Sequence, residues 1–525
     1  MAAFSHRGLH WIDWVVIISF LVGMLAFGTY FSRRQSSNAE FFTAAHRPMR
    51  PFFVGLSYYA ALLSTISYLG KPGEVINKGP TLLIGQIISV PIVYFIVSRW
   101  IIPKLMEQRV TSAYELLEVR LGLTGRMLGT MMFLSLRVVW MGLLIYLAAV
   151  ALCVIMNVDL ERVSWMAAAL GLVPIIYASI GGLRTIVITE VVQFAFLFTG
   201  AVVTVLIVVF RCGGFAWWPS TWLPEWDRQP FFSTDPYVRV TLVGAIVNML
   251  VWRVATAGGD QMAIQRYMAT KDVQSARRSY AVASYATVVV TAIIGVLGLA
   301  LLGFFRQFPE LLSDGMSIKA DGDRLFPYFI ANYLPIGLSG LVVAAVMAGP
   351  MSSISSGVNA ITAVVTRDYL ERFGWKSKSE TRHVLYTKGI SFGIGLLIVI
   401  VSMFLKYVPG NFMEVTNKTA NLEAPPIFAL FFLALFVPYA TPLGAVMGAI
   451  YGMTVSIMIA FWDVLTGKPM ISFQYIGIVG FTVDIAIACL VSKFGPRRDN
   501  LRPNLLVGLA GIVVLVIGAI IWMRA

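Results

Sequence analysis

Long runs of apolar residues separated by short polar stretches dominate the chain, and each run has the length of a membrane-spanning helix, about 20 residues. The runs fall near 12–32, 51–70, 79–101, 127–153, 161–180, 184–210, 238–262, 277–303, 331–366, 385–406, 418–437, 442–464, 472–492 and 503–523. They predict an all-α polytopic membrane protein of about fourteen transmembrane helices. The longest polar connections, 102–126, 211–237 and 304–330, are too short for an attached soluble domain. Residues 1–525 therefore read as a single membrane domain. The first run is followed by Arg33-Arg34 and not by a small-residue cleavage site, so it reads as a retained helix.

Composition agrees with this pattern. The chain is 58% hydrophobic and 13% charged, with a mean hydropathy of +0.80; a soluble domain carries about twice that share of charge. The net charge of +14 raises the question of nucleic acid, but its distribution answers with membrane orientation. With the N-terminus outside, the basic residues gather on the cytoplasmic connections: Arg33-Arg34, Arg47/Arg50, Lys104/Arg109/Arg120/Arg126, Arg266–Arg278, Arg367–Lys388 and Lys493–Arg502. This is the positive-inside bias. It places the chain in a plasma (inner) membrane, and an even number of spans leaves both termini outside. Trp217, Trp218, Trp222 and Trp226 read as interfacial belt residues on an outer connection.

Charges within the spans are expensive, at about 2.5–3.5 kcal/mol each at mid-bilayer. They are Arg137, Glu190, Arg253, Asp260 and Asp484. Asp260 follows Gly258-Gly259, a candidate helix break of the kind that exposes backbone groups in transporters. Arg253 stands two turns earlier, so an internal Arg253–Asp260 tie is an alternative. Asp484 reads equally as a structural partner. The segment Gly349-Pro-Met-Ser352-Ser353-Ile-Ser355-Ser356 puts four hydroxyls on one side of a buried helix. Hydroxyl and carbonyl oxygens suit a hard cation. Small residues also suit close helix packing, and composition alone leaves both readings open.

Several chemistries have no basis in the sequence. The three cysteines do not form a disulfide framework. The four histidines, His6, His10, His46 and His383, lie at ends or in connections, with no HExxH and no Cys–His metal spacing. A phosphate loop is absent, and no nucleophile–base set marks an enzyme. A transporter, a channel or a sensor remains.

At this point the chain resembles the sodium:solute symporters, the family of sodium–glucose, sodium–proline, sodium–sialic acid and sodium–monocarboxylate cotransporters. The resemblance runs from about residue 10 to 465 through ordered motifs. These are Glu40-Phe41-Phe42 with His46-Arg47; Gly55, Ser57, Ala60, Ala61 and Ser64; Gly73-Glu74 with Gly79; and Thr111 to Glu115 with Arg120. They continue with Tyr177, Gly181-Gly182, Thr189-Glu190 and Gln193; Asp260-Gln261 with Gln265-Arg266 and Lys271; and the serine cluster ending in Thr366, Asp368 and Tyr369.

The resemblance implies a leucine-transporter-like core of two inverted five-helix repeats over 51–437, preceded by an extra helix in 1–50 and followed by further helices in 438–525. It implies discontinuity in the first helix of each repeat, near Leu62–Ser67 and near Asp260; the first of these stretches has no glycine or proline. It also implies a main sodium site from the carbonyls of Ala60, Leu63 and Gly349 and the hydroxyls of Ser352 and Ser353. A second sodium site would use Glu190, Ser352, Ser355 and Ser356, although the family usually carries Asp where this chain has Glu190. The solute pocket would draw on Ser64, Thr65, Ser67, Gln86, Arg137, Asp260 and Gln261. If Arg137 faces that pocket, its planar fork suits a carboxylate; alternatively Arg137 and Asp260 neutralise one another and a neutral sugar remains possible.

The function implied is sodium-coupled uptake of a small polar organic solute (a sugar, acidic sugar, monocarboxylate or amino acid) by a monomer in a lipid bilayer, with sodium as the coupling ion. A transporter-like sensor lacks the signalling domain such proteins carry, and a sodium-independent carrier is the other alternative.

Overall fold

The computed structural model describes residues 8–32, 41–42, 48–108, 112–224, 226–313, 315–375, 379–405 and 412–494. The predicted span 503–523 lies outside them, as do His6, Arg33, Arg34, Glu40, His46, Arg47, Arg109, Thr111 and most of the basic stretch 493–502. The described residues form helices and connections.

In chain order the helices are α1 (Trp11–Ser32), α2 (Pro51–Leu62), α3 (Lys71–Lys78), α4 (Thr81–Ile96), α5 (Ile102–Gln108), α6 (Ala113–Ile155) and α7 (Val163–Arg211). There follow α8 (Leu242–Gly259), α9 (Gln261–Met268), α10 (Val273–Gln307), α11 (Gly322–Tyr333), α12 (Leu338–Val364) and α13 (Glu380–Phe404). The last are α14 (Phe412–Phe436), α15 (Pro442–Ala460), α16 (Trp462–Thr466) and α17 (Gln474–Phe494). Among the described residues ten helices are long and apolar enough to cross a membrane, or eleven if one bent pair counts as a span. Two of these are too long for a single crossing. α7, with 49 residues, breaks at Gly182 (φ 58°, ψ −178°), and α6, with 43, breaks at Gly122 (φ 67°, ψ −175°). Both glycines adopt a left-handed φ that residues with a Cβ rarely take.

Two helices are interrupted inside the bundle. α2 ends at Leu62, and the chain re-enters helix at Thr65, passing through a π-helical turn (Ile66–Gly70) into α3 with a bend of 71°. α8 ends at Gly259 and α9 begins at Gln261, with extended Asp260 between them (φ −96°, ψ 126°). The interruption therefore falls on Asp260, and the Gly258-Gly259 pair has another use. A Cβ on Gly258 would lie 2.5 Å from the Phe428 ring and one on Gly259 3.2 Å from the Phe428 Cα, so these glycines let α14 press against the end of α8.

The connections 102–126 and 304–330 prove largely helical, containing α5, the start of α6, and α11. Each half of the chain lays a short helix across the far piece of the other half's broken helix. α11 seats on α3, where Gly73 and Gly322 leave no room for side chains beside Asp323 and Asn77. The first turn of α6 seats on α9, with the Ala113 N–H donating to Gln261 Oε1 at 2.7 Å and the Tyr114 hydroxyl to the Gly259 carbonyl at 3.4 Å.

Some polar residues differ from expectation. Arg126 and Arg266, counted above with the cytoplasmic charge clusters, are buried. Arg126 bonds Asp368 at 2.7 Å through Nε. Trp217 and Trp226 are also buried, not belt residues; Trp226 donates to the Ile76 carbonyl at 3.0 Å, while Trp218 and Trp222 are exposed. Asp13 of α1 caps α12, accepting from the Gly337 and Gly340 N–H groups at 2.7 and 2.8 Å. Asp484 lies buried where α17 crosses Gly448 and Gly452 of α15, its carboxylate oxygens without a hydrogen-bond partner among the described residues.

Candidate functional site

The break after α2 leaves backbone oxygens without their helical partners. In a continuous helix the Ala60 and Ala61 carbonyls would accept from the N–H groups of residues four further on. Here the Ser64 N–H turns to the Leu62 carbonyl at 3.1 Å. Serines of α12 take up the released groups: Ser352 Oγ donates to Ala60 O at 3.0 Å and Ser353 Oγ to Ala61 O at 2.9 Å. Ser352 Oγ also lies 2.9 Å from Gly349 O. Three oxygens, from Ala60, Gly349 and Ser352, are thus clustered between α2 and α12. Leu63 occupies the break itself (φ −80°, ψ 86°). Gly349 is needed for the approach, since a Cβ there would stand 3.1 Å from the Thr65 nitrogen. Thr65 Oγ1, at the same contact, is buried without a hydrogen-bond partner. Carbonyl and hydroxyl oxygens without sulfur or imidazole form the donor set a hard monovalent cation prefers.

One turn further along α12 the chemistry changes. Glu190 of α7 and Arg266 of α9 form a buried ion pair, with Arg266 Nη2 at 2.9 and 2.8 Å from the two carboxylate oxygens. The Ser57 and Ser356 hydroxyls also bond Glu190, and Arg266 Nε reaches Ser57 Oγ at 3.1 Å. Ser355 lies apart from this pair, donating to the Ser352 carbonyl at 3.0 Å. The guanidinium of Arg266, which sequence reasoning took for a surface charge, therefore occupies the carboxylate to which a second sodium was assigned.

A cavity lies beside the two helix breaks. Of the seven residues proposed for the solute, it takes in Arg137 and Asp260. These two are ion-paired with each other. Asp260 does double work, because its other oxygen caps α9 by accepting from the Met262 N–H at 2.9 Å. The Phe133 ring lies 5.9 Å from the Arg137 guanidinium carbon. Aromatic and small residues complete the wall: Trp140, Trp252, Ala61, Thr256 and Gly259. Aromatic residues in apolar spans gave no separate signal for Trp140 or Trp252. Gln261 is engaged with α6, and Ser64, Thr65, Ser67 and Gln86 do not line this cavity. Arg253 does not reach Asp260. Its Nη1 lies 3.5 Å from Thr287 Oγ1, facing a second cavity.

Comparison with known proteins adds independent findings. The model of the sodium:solute symporter family matches residues 41–452. The chain is similar to the sodium/sialic acid symporter of Aliivibrio fischeri, at 26% identity over 93% of this chain and 94% of that one. It is also similar to a sodium-dependent multivitamin transporter of Oryctolagus cuniculus, at 28% identity over 87% of this chain and 71% of that one. The fold is similar to a solved Na+-coupled sialic acid symporter in a substrate-bound outward-open state, with a TM-score of 0.78 and 24% identity, covering 93% of this chain and 99% of that one.

Proposed function

The chain belongs to the sodium:solute symporter family, and from that premise we propose how its residues couple sodium entry to the uptake of an acidic organic solute. It is a sodium-coupled membrane transporter and not an enzyme. The observation that carries our reading is the triad of Ser352 Oγ, Ala60 O and Gly349 O, within 3.0 Å across two helices at a helix break. Sodium binds there with Leu63 O and Ser353 Oγ completing the shell. The hydroxyl protons turn outward and the oxygen lone pairs face the ion. The ion then joins α2 to α12 and fixes the wall of the solute cavity, so each ligand raises the other's affinity by one common factor. A membrane potential of 100 mV adds about 2.3 kcal/mol of drive per charge.

One sodium crosses per cycle. Glu190 already has its countercharge in Arg266, and a second cation between Glu190, Ser355 and Ser356 would face that guanidinium. The solute occupies the cavity of Arg137 and Asp260, where the paired charges present hydrogen-bonding groups to hydroxyls and Trp140 and Trp252 pack on its apolar faces. The relative named for sialic acid favours a solute bearing a carboxylate. Fourteen helices cross the membrane, with 51–437 as the inverted-repeat core, 1–50 and 438–525 as additions, both termini outside, and the monomer as the working unit in the bilayer.

The test is uptake of labelled N-acetylneuraminate and lactate into proteoliposomes with and without an inward sodium gradient. Gradient-driven accumulation of either supports the reading. Saturable flux indifferent to sodium would make the protein a sodium-independent carrier.

A further inference from the structure

Of the guanidinium groups drawn into the bundle, Arg126 pairs with Asp368, Arg137 with Asp260 and Arg266 with Glu190. Arg253, on α8, has no acidic partner among the described residues. Its Nε has no hydrogen-bond partner and its Nη1 has only the 3.5 Å contact with Thr287 Oγ1, at the outer limit of a hydrogen bond. The group lines a second cavity together with Tyr58, Tyr59, Tyr280, Ser284 and Thr287.

A half-buried guanidinium inside a membrane-spanning bundle, with no acidic partner among the described residues, is costly, and such groups are paired or serve a ligand. A fork of N–H donors with no carboxylate of its own among the described residues is complementary to an anion. The second cavity also shares Leu62, Trp252 and Thr256 with the first, so one solute can reach both. Arg137 is less available, because a carboxylate binding it must displace Asp260.

We infer that Arg253 is the anion-binding group of this transporter, receiving a carboxylate of the solute in the second cavity while the body of the solute lies against the Arg137–Asp260 pair. This rests on the symport reading for the solute's position, but the anion site itself does not depend on sodium coupling. A bound inorganic anion would satisfy the same chemistry, and the two sources are separable.

Purified wild-type protein, R253K and R253Q in nanodiscs are titrated in sodium HEPES, free of small inorganic anions, with N-acetylneuraminate, its methyl ester, lactate and chloride. Tryptophan fluorescence reports binding, since Trp252 lines both cavities. At least a tenfold loss of carboxylate affinity is expected in R253Q, with most of it kept in R253K, while the methyl ester binds both variants and wild type equally weakly. An Arg253-dependent response to chloride alone would make the occupant an inorganic anion and overturn the assignment to the solute. Carboxylate binding by R253Q equal to wild type, or no anion binding by wild type, overturns the proposal outright. Sodium-dependent thermal stabilisation of R253Q shows that the variant is folded. Loss of that response in wild type, with Arg253-dependent carboxylate binding intact, would sink the symport reading and leave the anion site standing.

Discussion

Replacing Ser352 by Ala removes the hydroxyl that sits 3.0 Å from Ala60 O and 2.9 Å from Gly349 O. The fold should tolerate the change, because a neutral hydrogen bond contributes about 1 kcal/mol net. Sodium binding should suffer more. A polar contact with a charged group is worth about 1.5–3 kcal/mol, which is a loss of roughly 10- to 100-fold in affinity. The readout is thermal stability of the purified protein titrated with sodium against choline, which needs no knowledge of the solute. At a sodium concentration one hundred times the dissociation constant the ion stabilises wild type by about 2.7 kcal/mol. With affinity about thirtyfold lower, the same concentration stabilises S352A by about 0.9 kcal/mol. The sodium midpoint moves up by the same factor. S402A provides the control, because that buried hydroxyl bonds only the Val399 carbonyl on α13. A sodium midpoint in S352A within twofold of S402A would remove the assigned ion site and leave the serines as packing residues.

Sodium activation of uptake is expected with a Hill coefficient of about 1; a clearly sigmoidal dependence would restore a second ion despite the Glu190–Arg266 pair. R137Q and D260N should each destabilise the protein by about 3–5 kcal/mol through the charge left behind. The double variant should recover much of that loss in melting temperature and monodisperse yield, and additive losses would mean that the pair does not form. Asp323, in the first turn of α11, gives a pH signature. Burial pushes its carboxyl up to about 7, the Glu74 carboxylate pushes the same way, and Arg239 and Arg324 oppose. Its folded value lies above the unfolded 3.8, so the folded state holds the extra proton and this contribution to stability is lost as pH rises from about 4 towards 7. D323N should flatten the melting temperature over that interval, and an unchanged slope would reject the assignment.

Hydrophobic run lengths made most of the helices legible, because membrane thickness fixes helix length whatever the fold. The serine cluster on α12 was visible for the same reason: four hydroxyls in an apolar run stand out. The break after α2 was not visible in the residues themselves, and the structure supplies the reason. Its released carbonyls at Ala60 and Ala61 are satisfied by Ser352 and Ser353, almost 300 residues downstream, so the signal for breaking one helix is written on another. Arg266 misled for a related reason. It stands beyond the predicted end of an apolar run and beside Lys271, where a surface charge is expected, yet α9 carries it back into the bundle to Glu190. Gln261 carried a family motif but serves the short helix at the start of α6. Pairings between halves of the chain are not encoded in any local window.

Those same pairings bear on how coupling is achieved. In the proposed cycle, opening one end of the bundle would part α11 from α3, whose Glu74 is also held by Arg239 of the connection before α8 through two 2.8 Å bonds. Opening the other end must part α6 from α9, where Gln261 meets Ala113, and loosen the cluster in which Arg126 joins Glu118 at 2.5 Å to Asp368 at 2.7 Å. The oxygen triad lies at neither end. It joins α2 to α12 where α2 breaks, so an ion at the proposed site would act on the segment between α2 and α3. Without the ion, the Ser352 and Ser353 hydroxyls hold the Ala60 and Ala61 carbonyls. With it, a charge-assisted shell does, and the difference is of the order needed for coupling, about 1–3 kcal/mol. A site built from full carboxylates would bind sodium more tightly and release it more slowly. Neutral oxygens at a helix break give an interaction strong enough to bias the equilibrium between the two openings and weak enough to let the ion leave on the far side.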